Sequence, residues 1–529
     1  MIETFWNICL NHDLKTRDHL LREAVRVVKM KQYIDQVPTE REVLENDPEK
    51  LFIKMKDKLG TMELGHFPGD RELFFKLYHA GKDMDLLEYG LQTIRQDRVI
   101  ASLQVHSSVF GAFIDHATRP ASQSWLIAEA EKFLDGLSRY APRVTSIRLT
   151  LLTENYVLGR LLKTYFADRD HIQVIQGSIY QPLPLSESYD AILAVPNFGL
   201  KLDDSDMELR EAEGAALQHL SPLVASGGTL TAVLPARMMF QSGAIGAWRQ
   251  RMNELTPVQA IYSLPDGLFR PYTSVKTYFA IFGNTSPGTE VKLGRYALKS
   301  SLLKEEKAID LKAAAFKELT DWRIELLLEQ DSRMLAAFQQ AAVPKLKLKA
   351  VADIFRGKSI LKQDLRPGSI YVLNISNLED GEVMLEHLET IQEEERKVKR
   401  YEVQPGDVVM TCRGTQAKLA VFPQHTRMVI ASANIIVIRF REQIHSLYAK
   451  IFLESPAGMA LIQSFQRGTT VMNLNPADVG EIEIPLLPMD RQLAISEQYM
   501  KEKQLYKETL QAATKRWEQQ REQIYTALY

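Results

Sequence analysis

A chain of 529 residues is long enough for about two to four domains with true cores. Its hydrophobic fraction of 45% and charged fraction of 25% are those of an ordinary globular protein and set aside a disordered or collagen-like chain. A formal net charge of -2 excludes nucleic-acid binding by bulk charge, so such binding must rest on local basic patches. No apolar run approaches the roughly 18 residues of a membrane span, and the opening "MIETFWNICLNHDLKTRD" lacks the ordered regions of a signal peptide. A cytoplasmic protein without membrane contact is expected. With only Cys9 and Cys412, there is neither a disulfide framework nor a cysteine-built zinc site; both read as small core or surface residues, and no metal is expected.

Residues 1–105 read as a helical domain, because apolar positions recur at three and four in "LLREAVRVVKMKQYI" and "LLEYGLQTI". From 106 to 325, the apolar runs "SYDAILAV", "GGTLTAVLP", "VQAIYSLP" and "KTYFAIFG" predict strands, and "EAEGAALQHLSPLVA" and "AIGAWRQRMNEL" predict helices between them. That alternation argues a doubly wound α/β sheet. The charged stretch "DLKAAAFKELTDWRIELLLEQDSRMLAAFQQAA" predicts a helical spacer. Residues 340–480 form an α+β block of β-branched runs broken by turns, as in "QPGDVVMTCRG" and "ASANIIVIRF", and 481–529 reads as one long polar helix. Leu493, Met500, Leu505 and Leu510 mark a thin apolar seam on that helix, which therefore needs a partner.

Within the α/β block, "LSPLVASGGTLTAVLPARMMFQSGAIGAWRQRMNELTPVQAIYSLPDGLFRPYTSVKTYFAIF" resembles the second half of the methyltransferase domain of type I restriction-modification systems, whose modification subunit makes N6-methyladenine. "IQVIQGSIYQPLPLSESYDAILAVPNFG" and, more loosely, "VHSSVFGAFIDHATRPASQSWLIAEAEKFL" extend the likeness to residues 106–285. The resemblance implies a Rossmann-like fold, S-adenosylmethionine as cofactor and adenine in DNA as substrate.

The family's stations can be compared with this chain one at a time. A "DPxCGSGG"-like loop at the end of the first strand holds the cofactor through glycines that let the backbone approach it. The matching segment is read as Asp115 to Ser124, which has no glycine and includes Arg119, so side chains should fill the space of the methionine half. Glu154 in "LLTENY" matches the acid that takes the ribose hydroxyls; taken alone it is a surface glutamate beginning a helix. Where the family has "QGD" this chain has Gln176-Gly177-Ser178, without the carboxylate that meets the cofactor adenine. Where the family has "NPPF", whose Asn side chain and proline carbonyl accept the N6 hydrogens of a flipped adenine under a stacking aromatic ring, it has Val195-Pro196-Asn197-Phe198. Val195 cannot accept a hydrogen bond, and Asn197 in place of the second proline should loosen the turn that aims the carbonyl. If cofactor binding persists, Asp115, Glu154 and Ser178 are the positions to carry it.

A second, independent resemblance covers residues 344–500. "LKAVADIFRGKSI", "VQPGDVVMTCRGTQAKLAVF", "IASANIIVIRF" and "FLESPAGMALIQSFQRGTTVMNLNPADVGEIEIPLLPMDRQLAI" are similar, in order and spacing, to one target-recognition domain of a type I specificity subunit and its following helix. Arg356, Lys358, Lys399, Arg400, Arg413 and Lys418 lie near turns there. Singly each is a solvated charge; as a set they point to phosphate or base contact. Asn475-Pro476 opens a helix-like turn.

The departures at the cofactor and adenine stations point the same way, to a pseudo-methyltransferase that reads double-stranded DNA, with no cofactor, as a subunit of a bacterial restriction-modification-like or phage-defence complex. Single-chain relatives carry an N-terminal nuclease with Asp followed by Glu-x-Lys, of which residues 1–105 hold no convincing version. One recognition domain with one helix suggests a homodimer joined by a C-terminal coiled coil. An active adenine-N6 methyltransferase and a protein-binding scaffold stand as alternatives.

Overall fold

The computed structural model describes residues 1–60, 63–96, 104–117, 123–183, 185–203, 209–265, 267–269, 275–283, 290–319, 321–328, 333–414, 417–465, 472–526 and 528. The chain divides into two compact units, residues 1–324 and 325–529.

Helices fill the start of the first unit where the three-and-four spacing predicts them. The helix Arg17–Gln36 is capped by Thr16, whose side chain accepts from the His19 amide, and it buries Leu20, Leu21, Ala24, Val27, Met30 and Ile34 along one face. That face does not close a separate domain at residue 105. The same core contains Val27, Tyr89, Phe110, Trp125 and Leu161, and Gln32 donates across to the Thr164 carbonyl at 2.9 Å. The N-terminal helices therefore pack on the sheet's helices and share their core.

The sheet has nine strands: β1 Ser124–Ala128, β2 Arg148–Thr153, β3 Ile172–Gln176, β4 Tyr189–Ala194, β5 Val224–Pro235, β6 Val258–Ser263, β7 Thr277–Gly283, β8 Glu290–Lys299 and β9 Leu302–Lys312. Their order is β3-β2-β1-β4-β5-β7-β6-β8-β9. The first five run parallel, and β1 is buried along its whole length, as a parallel strand covered on both faces must be. The doubly wound α/β class expected from the sequence is therefore present. Strand β7 is antiparallel to both neighbours, a reversal that apolar runs alone do not reveal. The predicted helical spacer begins instead inside β9: pairing with β8 draws residues up to Lys312 into an edge strand. Exposed Lys304, Glu305, Glu306 and Lys307 protect that edge from further pairing. Among the described residues, the helices Ala313–Lys317, Ile324–Leu328 and Arg333–Gln340 follow.

The second unit is α+β. An antiparallel sheet takes the order Ala352–Arg356, Ile435–Phe440, Val408–Thr411, Leu419–Val421, beside a smaller sheet in the order Glu389–Ile391, Leu365–Leu373, Val429–Ala431. Asn475 caps the short helix Pro476–Gly480 through the Asp478 amide, as its sequence predicts. The last element is the 38-residue helix Met489–Thr526. Its first half is fastened to the unit: the Gln492 amide bridges the carbonyls of Gln443 and Leu487 and the His445 amide, and Lys503 and Lys507 pair with Glu382. Among the described residues, no helix is long and apolar enough to cross a membrane and no His, Cys, Asp or Glu cluster suits a metal ion; both cysteines are buried thiols.

Candidate functional site

In an open parallel sheet, ligands meet the carboxyl ends of the strands where the strand order reverses, which here is around β1, flanked by β2 and β4. Four loops arrive at that place: Glu129–Phe133 after β1, Glu154 after β2, Gly177–Tyr180 after β3 and Val195–Phe198 after β4.

The loop after β1 corrects the sequence reading. Asp115 and His116 belong to the last turn of the helix Ser107–Ala117, and Ser124 opens β1, so this segment precedes the first strand. Arg119, with residues 118–122, lies outside the described residues. The position at the strand's carboxyl end belongs to Glu129 and the short turn Ala130–Phe133. "AEAEKF" lacks glycine and reads as helix, which hides a phosphate-loop-like position from sequence inspection. The backbone nevertheless keeps the left-handed conformation that glycine favours: Glu129 has φ 53° and ψ 54°, a strain of about 1 kcal/mol that the surroundings must hold.

What holds it is a buried polar network. The Glu129 and Lys132 side chains, each 4% exposed, form an ion pair at 2.7 Å. The Lys132 ammonium also donates to the Val195 carbonyl at 2.6 Å and to Asn197 Oδ1 at 2.9 Å, so all three of its N–H donors have acceptors. The Tyr180 hydroxyl donates to the Glu129 carboxylate at 3.2 Å and accepts from the Asn197 amide at 2.8 Å. Loops after β1, β3 and β4 are thereby tied together. Burial raises the Glu129 carboxyl above its usual range, against the Lys132 charge, and pushes the Tyr180 phenol far upward. Beside them Glu131 accepts from the Glu154 amide at 3.3 Å, while its other oxygen is buried without a partner. Burial, then the Glu129 charge, pushes the Glu131 carboxyl up to about 7.

The adenine-loop residues can now be placed. Val195 and Pro196 are buried, and Phe198 meets Phe269 edge-on at 5.8 Å. Asn197 does not loosen the turn as expected, because Tyr180 pins its amide and Lys132 its side chain. Behind the loop, Gly199 donates to fully buried Glu213 at 3.0 Å, and Glu213 pairs with Arg237 at 2.7 Å. Glu154 stands exposed after β2, and Ser178 is half-buried after β3, where its hydroxyl accepts from the Tyr180 amide. Sequence inspection passes over Glu129, Lys132 and Tyr180; the available signal is a Glu-x-x-Lys following the end of a buried strand.

In the second unit the six basic candidates separate. Arg356 donates to the Ala433 carbonyl at 2.5 Å, and Lys418 to the Leu378 carbonyl at 3.0 Å, so both serve their own fold. Lys358 pairs with Glu393 at 3.2 Å. Arg356, Lys358 and Arg413 gather around the turn Ala431–Asn434, since Lys358 exchanges backbone hydrogen bonds with Ala431 and Ala433 and Cys412 donates to Asn434. Gly357 is needed there, because a Cβ would stand 2.1 Å from the Ala431 oxygen. Arg413, Lys399 and Arg400 are exposed, Arg400 stacked 4.7 Å from the Tyr401 ring. Arg396 and Lys397, which the sequence reading passes over, are exposed in the same short stretch and pair with Glu394 at 3.7 and 2.8 Å.

Comparison with known proteins agrees with both resemblances. Residues 167–342 match the N-6 DNA methylase family, and residues 343–507 match the type I restriction modification DNA specificity domain. The methylase subunit of the type I restriction enzyme EcoEI from Escherichia coli is 28% identical over 149 residues, 26% of this chain; the chain spans 30% of that subunit's length. Among solved structures, the type IIG restriction endonuclease BpuSI is similar over 94% of this chain and 74% of its own, at 11% identity and a TM-score of 0.44. The type I methyltransferase subunit from Streptococcus thermophilus is similar over 57% and 89%, at 14% identity and a TM-score of 0.41. The chain thus carries, in tandem, an N-6 DNA methylase domain and a type I restriction modification DNA specificity domain.

Proposed function

We propose that this chain is a DNA-reading pseudo-methyltransferase, a cytoplasmic recognition subunit of a restriction-modification-like or phage-defence complex. The observation that carries the reading is the Lys132 ammonium, which takes the Val195 carbonyl, the Asn197 side chain and the Glu129 carboxylate for itself. The residues present do not fit S-adenosylmethionine. Glu129, a charged side chain, occupies a left-handed backbone position that glycine favours, and the loop after β4 is tied to Lys132 and Tyr180. Transfer to an adenine N6 needs acceptors aimed at the amine, and Val195 offers an isopropyl group where the family has a carboxamide. One missing buried partner costs about 1–3 kcal/mol before any transition-state effect.

Calorimetric titration with S-adenosylmethionine, beside a duplex-DNA shift assay at several salt concentrations, tests both halves. The expected result is no cofactor binding with DNA affinity that falls as salt rises, because phosphate contacts release counterions. Micromolar cofactor binding or methyl transfer to adenine would replace this reading with the active enzyme. Salt-insensitive or absent DNA binding would favour the protein scaffold.

The distal part of the C-terminal helix supports a homodimer. Leu510, Trp517 and Ile524 recur every seven residues and are 54%, 59% and 55% exposed, a coiled-coil spacing without a partner among the described residues of its own unit. Light scattering of the intact protein and of Trp517→Glu should give a dimer and a monomer respectively.

A further inference from the structure

We infer that Lys132 acts as a tethered ligand: its ammonium fills a socket for a primary ammonium ion, formed by the Glu129 carboxylate, the Val195 carbonyl and Asn197 Oδ1. The inference deepens the reading of a closed methyltransferase site and rests on it for the function assigned to the closure.

The geometry is that of a binding site whose occupant comes from the same chain. The three acceptors stand 2.6–2.9 Å from one nitrogen, and they come from the loops after β1 and β4. Tyr180, from the loop after β3, supports the socket from outside by holding the Glu129 carboxylate and the Asn197 amide. A buried charge is tolerated only when paired and hydrogen-bonded, and this one is saturated. The side chain begins at residue 132, so it enters across the turn Ala130–Phe133 rather than through an opening in the sheet. Shortening it to alanine therefore removes the charge and leaves its acceptors in place. The socket then selects by chemistry. A primary alkylammonium restores the three donors; a quaternary ammonium has the charge and no donors; a sodium ion has neither the shape nor the hydrogens.

The test is thermal denaturation of full-length Lys132→Ala with ethylammonium, tetramethylammonium or sodium chloride at matched ionic strength. The variant is expected to melt below the parent and to recover by about 2 °C or more at roughly 100 mM ethylammonium. Tetramethylammonium and sodium should leave it unchanged, and the parent should not respond to any of the three. In Glu129→Gln/Lys132→Ala the ethylammonium effect should vanish. If Lys132→Ala is insoluble, it is refolded from urea with and without ethylammonium, and a soluble fold only with the amine is the expected result. Failure of ethylammonium to rescue, or equal rescue by tetramethylammonium, overturns the inference. Cofactor binding by the parent is a separate readout: it would overturn the pseudoenzyme reading whether or not the amine rescues the variant.

Discussion

At the scale of single residues, the closed site makes predictions that differ in sign. Glu131 carries a carboxyl raised from 4.5 to about 7 by burial and by the neighbouring Glu129 charge. Between those values the folded state keeps a proton that the unfolded state has released, so stability is fully present below the lower value and falls as pH rises towards the upper one. Glu131→Gln should therefore match the parent near pH 4 and exceed it near pH 8, by up to about 3 kcal/mol, in urea denaturation at the two pH values. A constant difference across pH would show that Glu131 titrates alike in the folded and unfolded chain. Substitution of Glu213 acts in the opposite direction, because it is fully buried and holds both the Gly199 amide and Arg237. Glu213→Ala strands a guanidinium and should cost on the order of 3–5 kcal/mol, read from the same denaturation experiment. The Glu129 position adds a backbone effect. Glu129→Gly relieves the left-handed strain but strands Lys132, so the net change is destabilising despite the favourable φ.

At the scale of elements, many strands and helices follow from local pattern, while their partners do not. The helix Leu86–Arg95 begins where Asp85 caps the Glu88 amide, and the helix Tyr156–Tyr165 begins where Asn155 caps the Leu158 amide, both readable from residue order. The reversal of β7 and the drawing of residues 310–312 into an edge strand depend on which strand lies alongside, and a charged run such as "KEEK" is compatible with a solvated helix or a protected edge. The C-terminal helix separates into two regimes for an electrostatic reason. Its first half is held by Gln492 and by lysines on Glu382, whose carboxyl those lysines keep below its usual range. Beyond Lys507 the side chains face solvent. At concentrations low enough to keep the parent monomeric, ending the chain after residue 509 should leave the stability of the second unit within about 0.5 kcal/mol of the parent, since residues exposed in the monomer contribute little. Calorimetry would detect a larger loss, which would mean that the distal half packs on its own unit.

At the scale of the whole molecule, net charge and local charge act separately. A chain at -2 can still hold DNA through exposed cations placed locally, and Lys399 and Arg400 in one stretch and Arg413 in another are such cations. Removing Lys399, Arg400 or Arg413 should each weaken DNA binding and lower the slope of affinity against salt by about one. Lys418→Ala should leave that slope unaltered and instead reduce stability, because its ammonium serves the Leu378 carbonyl. Binding measured across a salt series separates the two outcomes.

The sequence by itself determined the α/β class, the long C-terminal helix, the two family likenesses and the altered residues Val195 and Asn197, because periodicity, capping and motif order are properties of neighbouring residues. Tertiary structure alone decided that the N-terminal helices share the sheet's core, that Asp115 precedes the first strand, and that Lys132 reaches Asn197, 65 positions away. The shared core and the Lys132 contact arise between distant segments, and the pairing of a buried ammonium with three acceptors exists only after the strands have brought the loops together.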